Sequence, residues 1–154
     1  MEFVLITFQL LRLYRMIYKR GLIAGSFDII HAGYIRMFKD AKDNVCDRLT
    51  IALQGDPTID RPFKCKPVQP LDERIEIMYS IKYVDSVVTY NTEEELYQLL
   101  KTVPHDVRIL GADYIGKKYT GDDLGTPVHW HERAHNISTT SLKEAIYQER
   151  LSKK

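Results

Sequence analysis

Apolar and polar positions follow two rhythms along the chain, and together they predict strands that alternate with helices. Residues 17–24 are typical of a strand that enters a Gly-Ser turn, and residues 34–41 carry apolar side chains near helical spacing. Residues 48–56, RLTIALQGD, are apolar in the middle and end in glycine and aspartate, which is typical of a buried parallel strand. The first part of the chain therefore reads as strand, helix, strand.

The same rhythm continues after a polar, proline-interrupted loop at residues 57–70. An amphipathic helix from Leu71 to Ile81 follows, with Pro70 at its start. The later pattern predicts strands at 84–90, 106–110 and 127–130 and helices at 92–103 and 138–151. Thr92 and Glu95 form a capping-box pattern. Such alternation indicates right-handed crossovers in a single Rossmann-like α/β domain, with a parallel sheet of about five strands and helices on both faces.

Composition narrows the possible functions. The 154 residues are 44% hydrophobic and 28% charged, as expected for one globular domain with a real core. Twenty-two basic and 21 acidic residues leave a formal charge of +1, so no global field favours nucleic acid or an anionic membrane. Cys46 and Cys65 lack the spacing of a metal or disulfide framework, which predicts a reducing, cytoplasmic location.

The first 19 residues are apolar and then turn basic. Glu2 precedes the apolar run and the basic residues follow it, the reverse of a secretory signal. The run is also shorter than the ~20 residues that span a bilayer, so no stable membrane insertion is expected. Residues 1–15 are interpreted as an appendage or a misassigned start, and residues 16–152 as the domain. An amphipathic helix that docks on the domain or on a membrane face is the alternative.

Two predicted helix starts offer anion sites at the carboxyl edge of the sheet, where open α/β sheets bind ligands. Gly25 permits a tight exit from the first strand, and the helix near Gly33 directs its free amides toward the same space. Ser138, Thr139 and Thr140 stand at the start of the last helix. Either start alone is more simply an ordinary capped helix, but the pair beside His31 favours a polyphosphate ligand.

These segments resemble a known family. GSFDIIHAGY, residues 25–34, and ISTT, residues 137–140, are similar to the signatures G-x-F-D-x-x-H-x-G-H and I-S-T-T of the cytidylyltransferase-like nucleotidyltransferases. KPVQPLDERIEIMYSIKYVDSVV, residues 66–88, also resembles the family, and the similarity runs from about residue 17 to 146. It is greatest to glycerol-3-phosphate cytidylyltransferases and somewhat less to the adenylyltransferase domain that activates heptose phosphate. The resemblance implies the nucleotidyltransferase fold of the HIGH superfamily.

The resemblance implies transfer of a nucleoside monophosphate from CTP or ATP to a phosphorylated alcohol, glycerol 3-phosphate being favoured, with release of pyrophosphate. It assigns phosphate contacts to His31 and leaves Asp28 to hold the turn. The second motif histidine is replaced by Tyr34, a neutral donor at pH 7 that is either catalytic or merely packed. The nucleotide-binding positions that it implies are Gly25, Ser26, Phe27, His31, Gly33, Arg133, Ser138, Thr139 and Thr140.

Local matches to the family imply further positions, each with a simpler alternative. Lys64 and Lys66 lie in the loop where relatives place catalytic basic residues, although solvated loop charges are equally consistent. The positions that match substrate contacts are Asp56, Arg74, Asp113 and Tyr114, and for Arg74 a structural role is an even alternative. Lys143, one turn into the last helix, is a further candidate for phosphate binding.

The family also bears on metals and partners. His129, His131 and His135 do not complete a four-ligand site, so no protein-held metal is predicted, and Mg²⁺ is expected to bind through the nucleotide triphosphate. A homodimer and small-molecule partners are expected, without nucleic acid. Two rival functions stay open: an adenylyltransferase for a sugar phosphate or similar acceptor, and a nucleotide-binding protein with little or no turnover because of Tyr34.

Overall fold

The computed structural model describes residues 18–134 and 136–153. The predicted extension at residues 1–15 and His135 lie outside the described residues. Five strands form the sheet: β1 (Tyr18–Gly25), β2 (Cys46–Gln54), β3 (Ser86–Tyr90), β4 (Val107–Gly111) and β5 (Val128–His131). Four α-helices are described: α1 (Ala32–Asp40), α2 (Leu71–Ser80), α3 (Glu93–Thr102) and α4 (Thr139–Ser152). The predicted elements are therefore confirmed, with ends shifted by a few residues.

All strand pairs are parallel, in the order β3-β2-β1-β4-β5. The chain moves outward from β1 to β3 and returns to the other side of β1 with β4. The strand order thus reverses beside the C-terminal end of β1, and a doubly wound sheet binds its ligands at such a point. The motif turn that follows Gly25 lies at this position.

Apolar side chains cover both faces of the sheet, which explains the nearly continuous apolar strands. On one face, a cluster that includes Ile51, Phe38 and Met78 packs the sheet against α1 and α2. On the other face, Leu22 and Ala52 pack against Leu96 and Leu100 of α3. Since adjacent strands carry register partners on the same face, alternate residues of β1, β2 and β4 belong to different layers.

The helix starts are locally encoded. The hydroxyl of Thr92 accepts a hydrogen bond from the Glu95 amide at 3.1 Å, as the capping-box pattern predicts. The Glu95 carboxylate accepts from the amide of Asn91 at 2.6 Å rather than from Thr92. Ser138 and Ser141 form a reciprocal capping box at the start of α4.

Three short segments were not anticipated from the sequence. A π-helical turn, Ala41–Val45, carries α1 into β2, and two 3₁₀ turns, Ala112–Tyr114 and Asp122–Leu124, follow β4. Among the described helices, none is both long and apolar enough to cross a lipid bilayer.

Candidate active site

The motif turn after β1 has a strained backbone. Phe27 and Ile29 have φ angles of 46° and 51°, in the left-handed region that non-glycine residues seldom occupy. The Asp28 carboxylate accepts hydrogen bonds from the amides of Val68 at 2.9 Å and Gln69 at 3.0 Å. Gln69 in turn accepts from the Ile29 amide through its side chain at 3.0 Å. This reciprocal latch holds the strained turn against the segment before α2.

Asp28 also binds the last helix. Its carboxylate is 2.7 Å from the Lys143 ammonium, and only 5% of the residue is exposed. Burial raises the pKa of Asp28, but hydrogen bonds from Lys143 and from the amides of Gln69 and Val68 outweigh it and leave the pKa below its ordinary value. These contacts agree with the interpretation that Asp28 holds the turn rather than touching substrate.

His31 begins α1 as its N-cap. Its Nδ1 accepts a hydrogen bond from the Gly33 amide at 3.1 Å, so in the neutral ring the proton lies on Nε2. The imidazole stacks on the ring of Tyr34, with centroids 4.0 Å apart and planes inclined by 24°. The stack and the cap together fix the ring, which therefore needs little reorientation to donate from Nε2.

Tyr34 connects this stack to the start of α4. Its hydroxyl is 3.2 Å from Thr139 Oγ1, and the Thr139 hydroxyl donates to the main-chain carbonyl of Asp28 at 2.7 Å. A threonine has a single hydroxyl hydrogen, so Tyr34 is the donor to Thr139. The N-termini of α1 and α4 are thus joined by a polar chain.

A small cavity of about 40 Å³ lies where these two helix starts meet. It brings together four of the predicted nucleotide-binding residues: His31, Gly33, Arg133 and Ser138. Tyr34 and His131 also line it. The predicted phosphate ligands Thr139 and Thr140 are not lining residues, and Thr140 is exposed. The nucleotide role of these residues stays a prediction.

A larger cavity of about 710 Å³ adjoins the small one and shares Tyr34, Met37 and Arg133 with it. Its predicted site residues are Gly25, Ser26, Phe27, Lys64 and Tyr114. Its basic lining residues are Arg61, Lys64, Arg108, Lys118 and Arg133, and its acidic ones are Glu93 and Asp122. A neutral protein therefore concentrates positive charge at one site, which suits a polyanionic ligand.

Two other predicted residues, Asp56 and Lys66, lie outside the lining of the larger cavity. Asp56 caps its own turn, since its carboxylate accepts from the Thr58 hydroxyl at 2.6 Å and amide at 2.9 Å. These bonds hold the pKa of Asp56 below its ordinary value. The Lys66 ammonium is exposed and lies 3.5 Å from Asp56. In this arrangement the two side chains pair with each other.

Arg74 is buried, with 2% of the residue exposed, and is not a lining residue of the cavity. Its guanidinium donates to four main-chain carbonyls, those of Gln69 at 3.0 Å, Ser26 and Gln54 at 2.7 Å, and Gly55 at 2.6 Å. These bonds tie the ends of β1 and β2 to the loop before α2. The substrate contact stays a prediction, but the structural alternative accounts for every one of these bonds.

Asp113 and Arg133 both approach Gly111 at the end of β4. A Cβ atom on Gly111 would collide with the Asp113 carboxylate and would lie 3.8 Å from Arg133 Nε. Glycine at this position therefore lets an acidic side chain fold back over the strand end, on the side from which Arg133 approaches. The sequence predicted both residues but not their proximity.

Sequence reasoning missed several polar residues that line the larger cavity, among them Gln54, Arg61, Tyr90, Arg108 and Tyr119. For Arg108 a signal was available, since it is a lone charge within the apolar strand DVRIL. The others lie at strand ends or in irregular segments, where the hydrophobic pattern does not show which way a side chain points.

Of the three histidines that were considered for a metal site, the structure describes His129 and His131. Both imidazoles lie near one carboxylate oxygen of Asp40, at 3.1 Å and 3.0 Å. Burial raises the pKa of Asp40, but hydrogen bonds from His131, Asn44 and His129 lower it overall. Within residues 18–134 and 136–153, no group of three or more suitable side chains is placed to hold a metal ion.

Comparison with known proteins gives consistent matches. Residues 22–145 match a family model described as cytidylyltransferase-like. The bifunctional protein HldE of Gluconacetobacter diazotrophicus is 36% identical over 105 residues, which cover 68% of this chain and 21% of that protein. FAD synthase of Pyrococcus horikoshii is 36% identical over 94 residues, 61% of this chain and 63% of that enzyme. The chain thus spans about a fifth of the length of HldE.

A solved structure, the lipopolysaccharide core biosynthesis protein from Thermoplasma volcanium, has the same fold. Its TM-score is 0.59 at 22% identity, and the match covers 78% of this chain and 99% of that one.

Proposed function

The chain belongs to the cytidylyltransferase-like family, and we propose that it transfers CMP from CTP to a phosphorylated alcohol, with glycerol 3-phosphate as the leading acceptor. An oxygen of the acceptor phosphate attacks the α-phosphorus. The bond from that phosphorus to the bridging oxygen breaks, and pyrophosphate leaves. No enzyme nucleophile takes part, so the protein contributes position and charge stabilisation.

The observation that carries this proposal is the small cavity between the starts of α1 and α4. There, His31 is held by the Gly33 amide and by the ring of Tyr34, and Ser138 and Arg133 face the same space. A phosphate group of the triphosphate that reaches this corner from the larger cavity would receive a hydrogen bond from His31 Nε2 and positive charge from Arg133. Both contacts strengthen as charge develops on the leaving group.

Magnesium is proposed as a companion of the nucleotide. Within residues 18–134 and 136–153, no three or more histidine, cysteine or acidic side chains are grouped to hold a metal ion. In this proposal the triphosphate oxygens and water would be the ligands of Mg²⁺. A Mg²⁺ ion bound in this way would neutralise part of the triphosphate charge. The protein's contribution to the triphosphate is then chiefly Arg133, the basic side chain that the two cavities share.

Adenylyl transfer to a sugar phosphate or similar acceptor is a second candidate. It is supported by the relatives, since FAD, the product named in FAD synthase, contains an adenylyl group. The proposed phosphate contacts do not distinguish CTP from ATP, because both carry the same triphosphate. Nucleotide choice depends on contacts with the base.

The test is pyrophosphate release with CTP and with ATP, against glycerol 3-phosphate and a panel of sugar phosphates. We expect the highest rate with CTP and glycerol 3-phosphate, whereas a higher rate with ATP and a sugar phosphate would favour the second candidate. His31→Ala should lower kcat by about 10²-fold or more. His105→Ala, in the α3–β4 connection, is the matched control and should leave the rate unchanged.

A third candidate, nucleotide binding without turnover, is motivated by Tyr34. It predicts tight CTP or ATP binding, measured by calorimetry, with no pyrophosphate release from any acceptor in the panel. We also propose a cytoplasmic homodimer. The free thiols Cys46 and Cys65 are consistent with a reducing compartment, and light scattering of the purified protein would measure its oligomeric state.

A further inference from the structure

Arg108 is a buried cation in the middle of the site. It lies on β4, where its register partner on β1 is Leu22, so it shares the face of the sheet that α3 covers. Only 5% of the residue is exposed, and it lines the larger cavity. An arginine so deeply buried beside a cavity needs a reason, because burial of a charge is unfavourable unless something compensates it.

The protein compensates Arg108 only in part. Nη1 donates to the main-chain carbonyl of Thr120, and the guanidinium carbon lies 5.5 Å from the centre of the Tyr119 ring. Nε is buried without a hydrogen-bond partner. Within the described residues, no carboxylate forms an ion pair with Arg108, and one of its five N–H donors makes a hydrogen bond.

The neighbouring carboxylate is already engaged. Glu93 lies 2.8 Å from Nη2 of Arg61 and accepts a hydrogen bond from the Thr120 hydroxyl. Arg61 also donates to the Gln54 side chain at 2.8 Å and has Asp60 at 3.9 Å from its Nε. Arg61 therefore has ion-pair partners of its own, although its Nε, like that of Arg108, is buried without a hydrogen-bond partner. Arg108 is left as the buried charge that still needs an anion.

Arg108 stands apart from the corner where nucleotidyl transfer is proposed. It does not line the small cavity beside His31, and its partner Leu22 precedes Gly25 by three residues. Three residues of parallel strand span about 10 Å. The two cavities also share Tyr34, Met37 and Arg133, so a ligand whose phosphate reacts beside His31 can extend into the larger cavity that Arg108 lines.

We propose that Arg108 binds a carboxylate that the acceptor carries in addition to its reacting phosphate. This narrows the proposed class of phosphorylated alcohols to phosphorylated hydroxy acids, which take the place of glycerol 3-phosphate as the preferred acceptor. This inference rests on the proposed nucleotidyl transfer, which places the reacting phosphate of the acceptor beside His31. A guanidinium edge matches the two oxygens of a carboxylate. The neutral hydroxymethyl end of glycerol 3-phosphate supplies no such charge.

The test compares 3-phosphoglycerate with glycerol 3-phosphate, which differ only in a carboxylate against a hydroxymethyl group. Calorimetry measures the binding of each to the full chain, alone and with Mg²⁺ and the α,β-methylene analogue of CTP or ATP. We expect 3-phosphoglycerate to bind at least tenfold more tightly. Equal affinities, tighter glycerol 3-phosphate, or no binding of either ligand would overturn the proposal.

Substitution then assigns the preference to its residue. Arg108→Gln should abolish the difference between the two ligands by weakening 3-phosphoglycerate alone, and Arg108→Lys should restore part of it. Arg48→Gln removes the same charge from an exposed position on β2 and should change neither affinity. An equal loss for both ligands, or weaker binding of the nucleotide analogue, would place Arg108 in another role and contradict the proposal.

The test does not depend on the Arg108→Gln variant being folded. If circular dichroism shows that this variant is unfolded, the ratio of the two affinities in the wild-type protein still supports or contradicts the proposal. Binding is measured without turnover, so failure of the proposed function would appear separately, as no pyrophosphate release from any pair of substrates.

Discussion

The hydroxyl of Tyr34 donates a hydrogen bond to Thr139 Oγ1 across 3.2 Å, and this contact joins the beginnings of α1 and α4. The Thr139 hydroxyl in turn donates a hydrogen bond to the main-chain carbonyl of Asp28. The tyrosine that replaces the second motif histidine therefore has a structural contact of its own. Its hydroxyl can serve a phosphate only by exchanging that contact.

Tyr34→Phe should show which role dominates. It removes the hydroxyl and keeps the ring that stacks on His31, so we expect a loss of about 1 kcal/mol in the free energy of unfolding. If the hydroxyl also donates to phosphate in the transition state, kcat should fall by about 10²-fold. Urea denaturation and pyrophosphate release measure the two effects. Unchanged values of both would contradict the contact.

Tyr34→His makes the opposite change, since it supplies the histidine of the family signature. Imidazole adds a donor that can carry positive charge, so we expect a higher rate of pyrophosphate release than in the wild type. A lower rate at unchanged stability would mean that the rest of the site is adapted to tyrosine.

The sequence was sufficient to predict the sheet because each strand is a short apolar run and each helix start carries its own cap, as at Thr92 and Ser138. It also predicted the helix start near Gly33, beside His31, because the motif turn is a local feature. It did not predict that Tyr34 would reach Thr139, which is 105 residues away. Such a contact depends on how two helices meet at the sheet edge, and periodicity does not record that.

Arg74 and Arg108 also show a limit of prediction from the sequence. Both are arginines in or beside apolar elements, and their sequence contexts do not distinguish a main-chain brace from a cavity cation. The structure separates them by partners: Arg74 makes four hydrogen bonds to carbonyls and Arg108 makes one. Only the three-dimensional structure shows how many donors of each guanidinium have an acceptor.

Asp28→Asn should lower the free energy of unfolding at neutral pH. It should also make the decrease of that free energy at acid pH less steep. The native pKa of Asp28 is lowered, so its contribution is fully present above the unfolded value of about 3.9 and is lost as the pH falls through the folded value. At neutral pH we expect a loss of roughly 2 to 3 kcal/mol, because an amide group cannot satisfy Lys143 and two buried amides equally.

Urea denaturation from pH 7 down to pH 3 measures this contribution. The Asp28→Asn protein should lose stability less steeply below about pH 4 than the wild type. Asp47→Asn, at an exposed position on β2, is the matched control. Parallel curves for wild type and Asp28→Asn would show that the carboxylate charge is not what holds the turn.

Arg74→Lys should be destabilising although the charge is kept. A lysine ammonium cannot replace a planar guanidinium that donates to carbonyls of both β1 and β2 ends, so we expect a loss above about 2 kcal/mol in the free energy of unfolding. Arg36→Lys, exposed on α1, should have almost no effect. A raised KM for the acceptor at unchanged stability would instead favour the predicted substrate contact.

Cys65 offers a chemical probe of the larger cavity. It is exposed and lines that cavity, whereas Cys46 is fully buried and burial raises its pKa to about 11. A thiol reagent acts on the thiolate, so iodoacetamide at pH 8 should modify Cys65 and spare Cys46. Peptide mass spectrometry identifies the site.

The modification should also report ligand binding. CTP or ATP with Mg²⁺ should slow the labelling of Cys65 severalfold if the triphosphate and its acceptor occupy the space that this residue lines, because the reagent then loses access. Cys65→Ser should remove the labelling and retain pyrophosphate release. If nucleotide leaves the labelling rate of Cys65 unchanged while calorimetry shows it bound, the ligand lies elsewhere, since a molecule that fills the cavity cannot leave its wall open to the reagent.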